Sequence, residues 1–385
     1  MSGRLLRLVC TAAVAAGIVL TPVPAAAEPA PGTADDRTVA GLLTDLQRLY
    51  REAERATETY NGTEERLKEQ RAEVRRLDAE LARARTSLHD SRGAAGRLAR
   101  QQYQSSSNLS PYLRLLLARD PQHAIDQGHV IGRLARERVD TVGRLTGDEK
   151  KAQELSRRSR EALARQAALA ERQEKERDGV RERLRAVEEL LASLTPEQLA
   201  ALAELESSGI AEEQERFLAS GALGDDAKPS AGGESAVRFA VEQLGKPYEW
   251  GAEGPASYDC SGLTSVAWER AGTPIPRTSQ EQWARLDHVP LDELRPGDLV
   301  VYFPEATHVA MYLGDGMVVQ APRPGADVKV SPIAANPVLG AVRPDPDGEP
   351  VRRYTPPRLP AGATDGSDQG YAASYAPAAP ETSAR

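Results

Sequence analysis

Cysteine and aromatic side chains are both scarce in this chain of 385 residues, which has two Cys and only 4% Phe, Trp and Tyr. Cys10 lies in an N-terminal stretch where Arg4 and Arg7 precede an apolar run from Leu8 to Leu20, followed by Pro22-Val-Pro-Ala25-Ala26-Ala27. A charged start, an apolar run too short to span a bilayer and a small-residue A-x-A pattern together read as a secretory signal. Residues 1–27 are therefore expected to be removed and the chain to be secreted. Cys10 stands at the start of the apolar run rather than after it, which excludes a lipoprotein anchor. No later segment is apolar enough to span a bilayer, so a soluble or peripherally held mature chain is expected. One cysteine is then left, Cys260, and an intramolecular disulfide is excluded. A lone thiol in an exported protein implies a reactive nucleophile or an intermolecular bridge, and nothing near Cys260 favours the bridge. An excess of basic residues is also lacking: net charge is -8, and -10 without Arg4 and Arg7. That balance argues against nucleic acid as a partner. Metal-ligand spacing is missing too. The five His are scattered and no H-E-x-x-H or Cys-x-x-Cys occurs, so no metal and no cofactor are expected.

Long-helix composition comes first. Residues 35–217 are rich in Ala, Arg, Glu, Leu and Gln. Val39, Leu42, Leu46, Leu49, Ala53, Ala56, Tyr60, Thr63, Leu67, Gln70, Val74, Leu77, Leu81, Ala84 and Leu88 keep an unbroken three-four spacing, the seam of a supercoiled helix over about 38–103. The seam lapses over 104–124, where Ser, Asn and Pro residues and Asp120-Pro121 mark a stop and restart. A second helix is expected over 125–194, with heptads at Val180, Leu184, Val187, Leu191 and Leu194. An antiparallel hairpin is the simplest arrangement, and a parallel dimer is the alternative. Thr195-Pro-Glu-Gln198 reads as a capping box opening a short helix over 196–206. Residues 218–233 read as a linker.

Strands and all three tryptophans, Trp250, Trp268 and Trp283, appear only in 234–348, enough chain for one independent core. Residues 349–385, rich in Pro, Ala, Gly and Ser, read as a disordered tail. Within 234–348, Tyr258-Asp-Cys-Ser-Gly-Leu263 opens a helix. Backbone N–H groups and the helix dipole at that end favour a thiolate on Cys260. His308 begins a strand, His308–Leu313, which a Gly314-Asp-Gly316 turn joins to Met317–Ala321. A three-residue loop pairs Leu313 with Met317 and Ala310 with Gln320, so His308 and Gln320 share a face. A two-residue loop without a bulge would separate them. Cys260, His308 and Gln320 are thus candidates for nucleophile, base and orienting residue. The plainer reading is a buried Cys, a core His and an ordinary polar strand residue. Helices followed by antiparallel strands make this an α+β domain.

Gly245-Lys-Pro-Tyr-Glu-Trp-Gly251, Tyr258-Asp-Cys-Ser-Gly-Leu263, Pro276-Arg-Thr-Ser279, Leu294-Arg-Pro-Gly-Asp-Leu299 and His308-Val-Ala-Met-Tyr-Leu-Gly314 resemble, in order and spacing, the successive motifs of the NlpC/P60 cell-wall peptidases. The resemblance covers residues 234–345. It implies a papain-like α+β core and hydrolysis of an amide in peptidoglycan stem peptides, usually between the γ-carboxyl of D-glutamate and the diamino acid. It makes Cys260 the nucleophile, His308 the base and Gln320 the third polar residue. Tyr248 then falls on an active-site tyrosine that aids the oxyanion, and Asp259 and Ser261 line the acyl-side subsite. For Asp259 simple helix capping is an equal reading. Arg277 and Ser279 read as structural, Trp250 as core packing and His288 as a surface residue. The helical region resembles the coiled-coil arms of exported cell-division hydrolases and their activators, implying an arm that docks a membrane-complex partner or occludes the active site. Two other readings stay open. One is a non-catalytic scaffold that activates another cell-wall hydrolase, and the other is the same fold performing acyl transfer or N-acetylmuramoyl-amide cleavage.

Overall fold

The computed structural model describes residues 38–105, 120–224 and 227–368. The stretch read as an N-terminal signal, most of the interruption at 104–124 and the end of the chain from 369 lie outside the described residues. Two long helices, α1 (Val39–Ser105) and α2 (Pro121–Ala192), fold back on each other antiparallel within one chain. The three-four spacing of α1 is the reason. Leu42, Leu46 and Tyr50 bury against Val187 and Leu194 near one end, and Val74, Leu77, Leu81 and Ala84 against Ala152, Leu155 and Ala162 farther along. Polar links cross the same seam, including Ser159 Oγ to Asp78 Oδ1 at 2.8 Å and Gln70 Nε2 to the Ala162 carbonyl at 3.2 Å.

Helix α3 (Pro196–Ala219) opens on the capping box read from the sequence. Thr195 Oγ1 accepts from Gln198 N, and the Gln198 side chain accepts from Thr195 N. The helix runs 13 residues past the end expected at 206. Its second half lies on the C-terminal domain, where Gln214 Nε2 donates to Gly316 O and Gln214 Oε1 accepts from Ala334 N. Phe217 and Leu223 cover apolar side chains there, which ordered the first part of the stretch read as linker.

The C-terminal domain is α+β. Helices α4 (Ala231–Glu242), α5 (Cys260–Arg270) and α6 (Ser279–Arg285) pack beside an antiparallel sheet. The strands are β1 (Asp287–Val289), β2 (Leu299–Tyr302), β3 (His308–Gly314), β4 (Met317–Gln320), β5 (Lys329–Pro332) and β6 (Val338–Arg343), in spatial order β1-β6-β2-β3-β4-β5. One sheet face buries Leu299, Val301, Val309, Met311 and Val319 against Ala236, Ala240, Leu263 and Trp268 of the helices. The other buries Val300, Tyr302, Ala310, Tyr312 and Val318 beneath α3 and its extension.

The β3–β4 turn differs from the expected three-residue loop. Gly314 pairs with Met317 across the two residues Asp315-Gly316, and a bulge between Tyr312 and Gly314 restores the register so that Met311 faces Val319. Ala310 then lies across from Gln320, and His308 and Gln320 share a face as expected, because the bulge supplies the residue that the shorter loop removes.

The reading of 349–385 as a disordered tail needs correction over 349–368. This segment has little to bury but many backbone partners. Val351 N donates to Pro229 O, and edge strand β5 donates from Val330 N to Ala363 O. Asp368 ends up buried.

Gly316 is the tightest point of the turn, with φ 67°, and a Cβ there would meet Gln214 Nε2 at 3.0 Å and Leu218 Cδ2 at 3.1 Å. Gly316→Ala is expected to lower stability by about 1–2 kcal/mol through the left-handed backbone and this crowding, read as a lower denaturant midpoint.

Candidate active site

The start of α5 is built around Asp259. Its Oδ1 accepts from Gly262 N at 2.6 Å, capping the helix whose first residue is Cys260. The same carboxylate accepts from Gly251 N at 2.9 Å and from both terminal nitrogens of Arg277, at 3.0 and 2.7 Å. Helix capping and an ion pair thus occupy the Asp259 oxygens. Arg277, read as structural, also donates to Ser261 Oγ at 2.8 Å and so belongs to the site. Cys260 is buried, and the backbone N–H of Val309, next to His308, hydrogen-bonds its sulfur. Tyr248 is buried close enough to Cys260 to feel its charge.

On the sheet, His308 Nε2 lies 2.7 Å from Gln320 Oε1. An amide oxygen only accepts, so Nε2 carries the proton and Nδ1 is left as the basic nitrogen. The structure therefore brings together Cys260, Tyr248, Asp259 and Ser261 at the head of α5, and His308 and Gln320 on the strands beside it. His288 is exposed and far from this group in function, stacked on Trp283 with its Nε2 at the Trp283 carbonyl. Trp250 packs on the core as expected, and its ring also meets Tyr60 of α1 edge to face at 5.1 Å.

The residues that sequence reasoning missed come from the arm. Glu54, Thr57, Glu58 and Asn61 of α1 are each 2–3% exposed, a polar stripe pressed onto the cleft. Glu58 Oε1 accepts from Ser261 Oγ at 2.8 Å and lies 3.8 Å from Cys260 Sγ, while Oε2 accepts from Ser279 N at 2.7 Å. Asn61 Nδ2 donates to Asp259 Oδ2 at 3.0 Å. Glu54 Oε1 sits 3.6 Å from His308 Nδ1 and 3.7 Å from Arg323 Nε. The one signal available was the spacing Tyr50, Glu54, Glu58, Asn61, which lines one helix face but looks like any solvated polar stripe.

Residues 245–340 match the NlpC/P60 family. The chain carries an NlpC/P60 domain at its C-terminus. A probable endopeptidase of Corynebacterium glutamicum is 47% identical over 96 residues, 25% of this chain and 46% of that protein. A probable endopeptidase of Mycobacterium tuberculosis is 37% identical over 116 residues, 29% of this chain and 30% of that protein. The chain thus spans less than half the length of these curated relatives. Among solved structures, the NlpC/p60 domain of the peptidoglycan hydrolase SagA is 31% identical, covering 29% of this chain and 97% of that one, with a TM-score of 0.28. RipD of Mycobacterium tuberculosis, described as a non-catalytic NlpC/p60 domain protein adapted to peptidoglycan binding, is also 31% identical. It covers 29% of this chain and 96% of that one, with a TM-score of 0.27.

The NlpC/P60 site is held here in a resting protonation state. Burial, then the carboxylates of Glu58, Asp259 and Glu54, push the Cys260 thiol well above its usual range. Burial lowers His308 to about 4, with Arg323 adding to the effect. The expected thiolate is therefore a neutral thiol, and the imidazole is neutral too, because the arm's carboxylates and the loss of solvent outweigh the helix dipole. Burial also raises both arm carboxyls to about 7, Glu54 against the pull of Arg323 and Arg51, and Glu58 with Asp259 adding to the rise and Arg277 opposing it.

These shifts give docking of the arm a pH dependence. Two carboxyls whose ordinary value of 4.5 is raised to about 7 take up protons on closing, so closure weakens as pH rises across that window. His308, lowered from 6.5 to about 4, releases a proton on closing and opposes this with one group against two. The arm is expected to be closed near pH 5 and to open progressively toward pH 7. Small-angle scattering of the full chain checks this as a radius of gyration that rises with pH.

Proposed function

We propose that the protein is an exported peptidoglycan endopeptidase that hydrolyses a stem-peptide amide by thiol catalysis, with the helical hairpin as a stopper over its active site. The bond is the one between the γ-carboxyl of D-glutamate and the diamino acid. The observation that carries this reading is the His308–Gln320 hydrogen bond at 2.7 Å, because it leaves His308 Nδ1 as the base beside the strand residue that touches Cys260 Sγ. The NlpC/P60 domain, the probable endopeptidases among the relatives and the signal-like N-terminus support it.

With the arm withdrawn, water returns to the cleft, and the nearby negative charges of Glu54 and Glu58 leave. Water lowers the thiol's pKa and raises that of the imidazole, and loss of the carboxylates lowers the thiol's further, so the Cys260 proton passes to His308 Nδ1. The sulfur attacks the amide carbonyl. The Cys260 backbone N–H, at the positive end of α5, and the Tyr248 hydroxyl face the developing oxyanion. Collapse breaks the C–N bond, and His308 hands its proton to the departing amine. Water then attacks the thioester with His308 taking its proton, which frees the acid and returns the thiol. Ser261 Oγ and Ser279 N, which hold the Glu58 carboxylate in the closed form with the charge of Arg277 nearby, are free to hold a carboxylate of the peptide in the open one. A membrane-complex partner gripping the hairpin would supply the opening.

The test is digestion of purified muropeptides, read by mass spectrometry. Glu54→Ala with Glu58→Ala is expected to cleave roughly tenfold faster than the wild type, the change that about 1.4 kcal/mol of lost closure produces. The new terminus should be the amine of the diamino acid. Cys260→Ala in that opened chain should cleave nothing. Equal cleavage with and without Cys260 would remove thiol catalysis, and equal rates for wild-type and opened chains would remove the arm as a stopper.

A further inference from the structure

The polar chain behind His308 does not end at Gln320. Gln320 Nε2 donates to Ser331 Oγ at 2.8 Å and to Asp368 Oδ1 at 3.3 Å. Ser331 Oγ in turn donates to Asp368 Oδ1, and Lys329 Nζ pairs with the same oxygen at 3.2 Å. Ser331 and Gln320 are buried to 1% exposure or less, and Asp368 to 7%. Asp368 lies beyond residues 245–340, the part that matches the family, on a stretch whose composition suggested no structure.

The direction of this chain depends on its last member. A Gln amide can present either its oxygen or its nitrogen to a neighbour, and the neighbours decide which. His308 Nε2 decides nothing alone, since a neutral imidazole is content to donate or accept there. Ser331 cannot decide either, because a hydroxyl does both. A carboxylate only accepts. Asp368 therefore makes Ser331 a donor toward it and draws the Gln320 NH2 to its own side, leaving Gln320 Oε1 for His308. We propose that Asp368 is a positioning residue for the reaction: through Ser331 and Gln320 it fixes His308 with its proton on Nε2, and so keeps Nδ1 available as the base. This rests on the endopeptidase reading for its catalytic consequence, but the tautomer itself does not.

The stretch carrying Asp368 is anchored for such a role. Ala363 O accepts from Val330 N at 2.8 Å on the free edge of β5, and Lys329 Nζ donates to Gly366 O. Ser367 Oγ donates to Glu206 Oε2 of α3 at 2.6 Å, which ties the tail to the arm as well as to the sheet.

Long-range proton–nitrogen NMR of the histidine rings in the full chain reads the tautomer directly, with His308→Gln assigning the signal. In the wild type the Nε2 shift of His308 is expected to be that of a protonated nitrogen and the Nδ1 shift that of a bare one. Asp368→Asn, which can donate and so reverse the chain, should give a mixed or inverted pattern. Adding Gln320→Glu to Asp368→Asn should restore the wild-type pattern, because a carboxylate at 320 accepts from Nε2 whatever residue 368 does. In the chain opened by Glu54→Ala and Glu58→Ala, Asp368→Asn should lower kcat by about tenfold with KM changed less than about twofold, and Gln320→Glu should recover most of the loss. A role confined to holding the tail in place predicts no recovery from a change at 320. An Asp368→Asn chain with an unchanged tautomer, or a kcat loss that Gln320→Glu does not recover, would overturn the proposal. Absence of Cys260-dependent cleavage would instead overturn the endopeptidase reading, and the substrate-free NMR result would stand apart from it.

Discussion

The carboxylate of Asp259 is where the three parts of this protein meet. It caps α5 and so sets where Cys260 stands, it takes both terminal nitrogens of Arg277, and it accepts from Asn61 of the arm. A fully buried carboxylate is tolerable only when its oxygens are engaged this completely. Each of its partners is therefore held in place by the same requirement. Arg277 is positioned against Ser261, Ser261 against Glu58, and the arm comes to rest on the head of α5.

With the arm docked, Cys260 is kept protonated by its charged neighbours as well as by the loss of solvent. A thiol needs a nearby positive charge or open solvent to ionise, and here it faces two arm carboxyls and a dry wall. The arm's hold is uneven. Glu58 takes two hydrogen bonds of ordinary length, whereas Glu54 stays 3.6 Å or more from both His308 Nδ1 and Arg323 Nε. Burying both carboxyls costs desolvation, which the hydrogen bonds of Glu58 offset and the longer contacts of Glu54 offset less.

Much of this was legible in the sequence. The three-four spacing from Val39 to Leu88 gives a hairpin helix because apolar periodicity is a local property, and the Thr195 capping box reads directly for the same reason. The pairing of His308 with Gln320 was legible through strand alternation, although the turn reached that register by a bulge at Leu313 rather than by a longer loop. The arm's stripe was not legible. Glu54, Glu58 and Asn61 have the residue types and spacing of a wet surface, and only the docking of a distant segment buries them. Asp368 was hidden for a related reason. Its surroundings are poor in apolar residues, and the stretch is ordered by backbone hydrogen bonds to an edge strand that composition does not record.

Because α3 fastens to the β3–β4 turn through Gln214 while α1 covers the cleft, the arm and the domain it covers are one molecule joined at the rear. A covalently linked inhibitor re-encounters its site at an effective concentration in the millimolar range for short connections, whatever the concentration of the protein itself. On the proposed reading, dilution would leave such a lock in place, and a loose peptide would have to outcompete a neighbour that never diffuses away. A pull on the lever would then add to the loosening that rising pH brings, and would tie cutting to the place where something is there to pull.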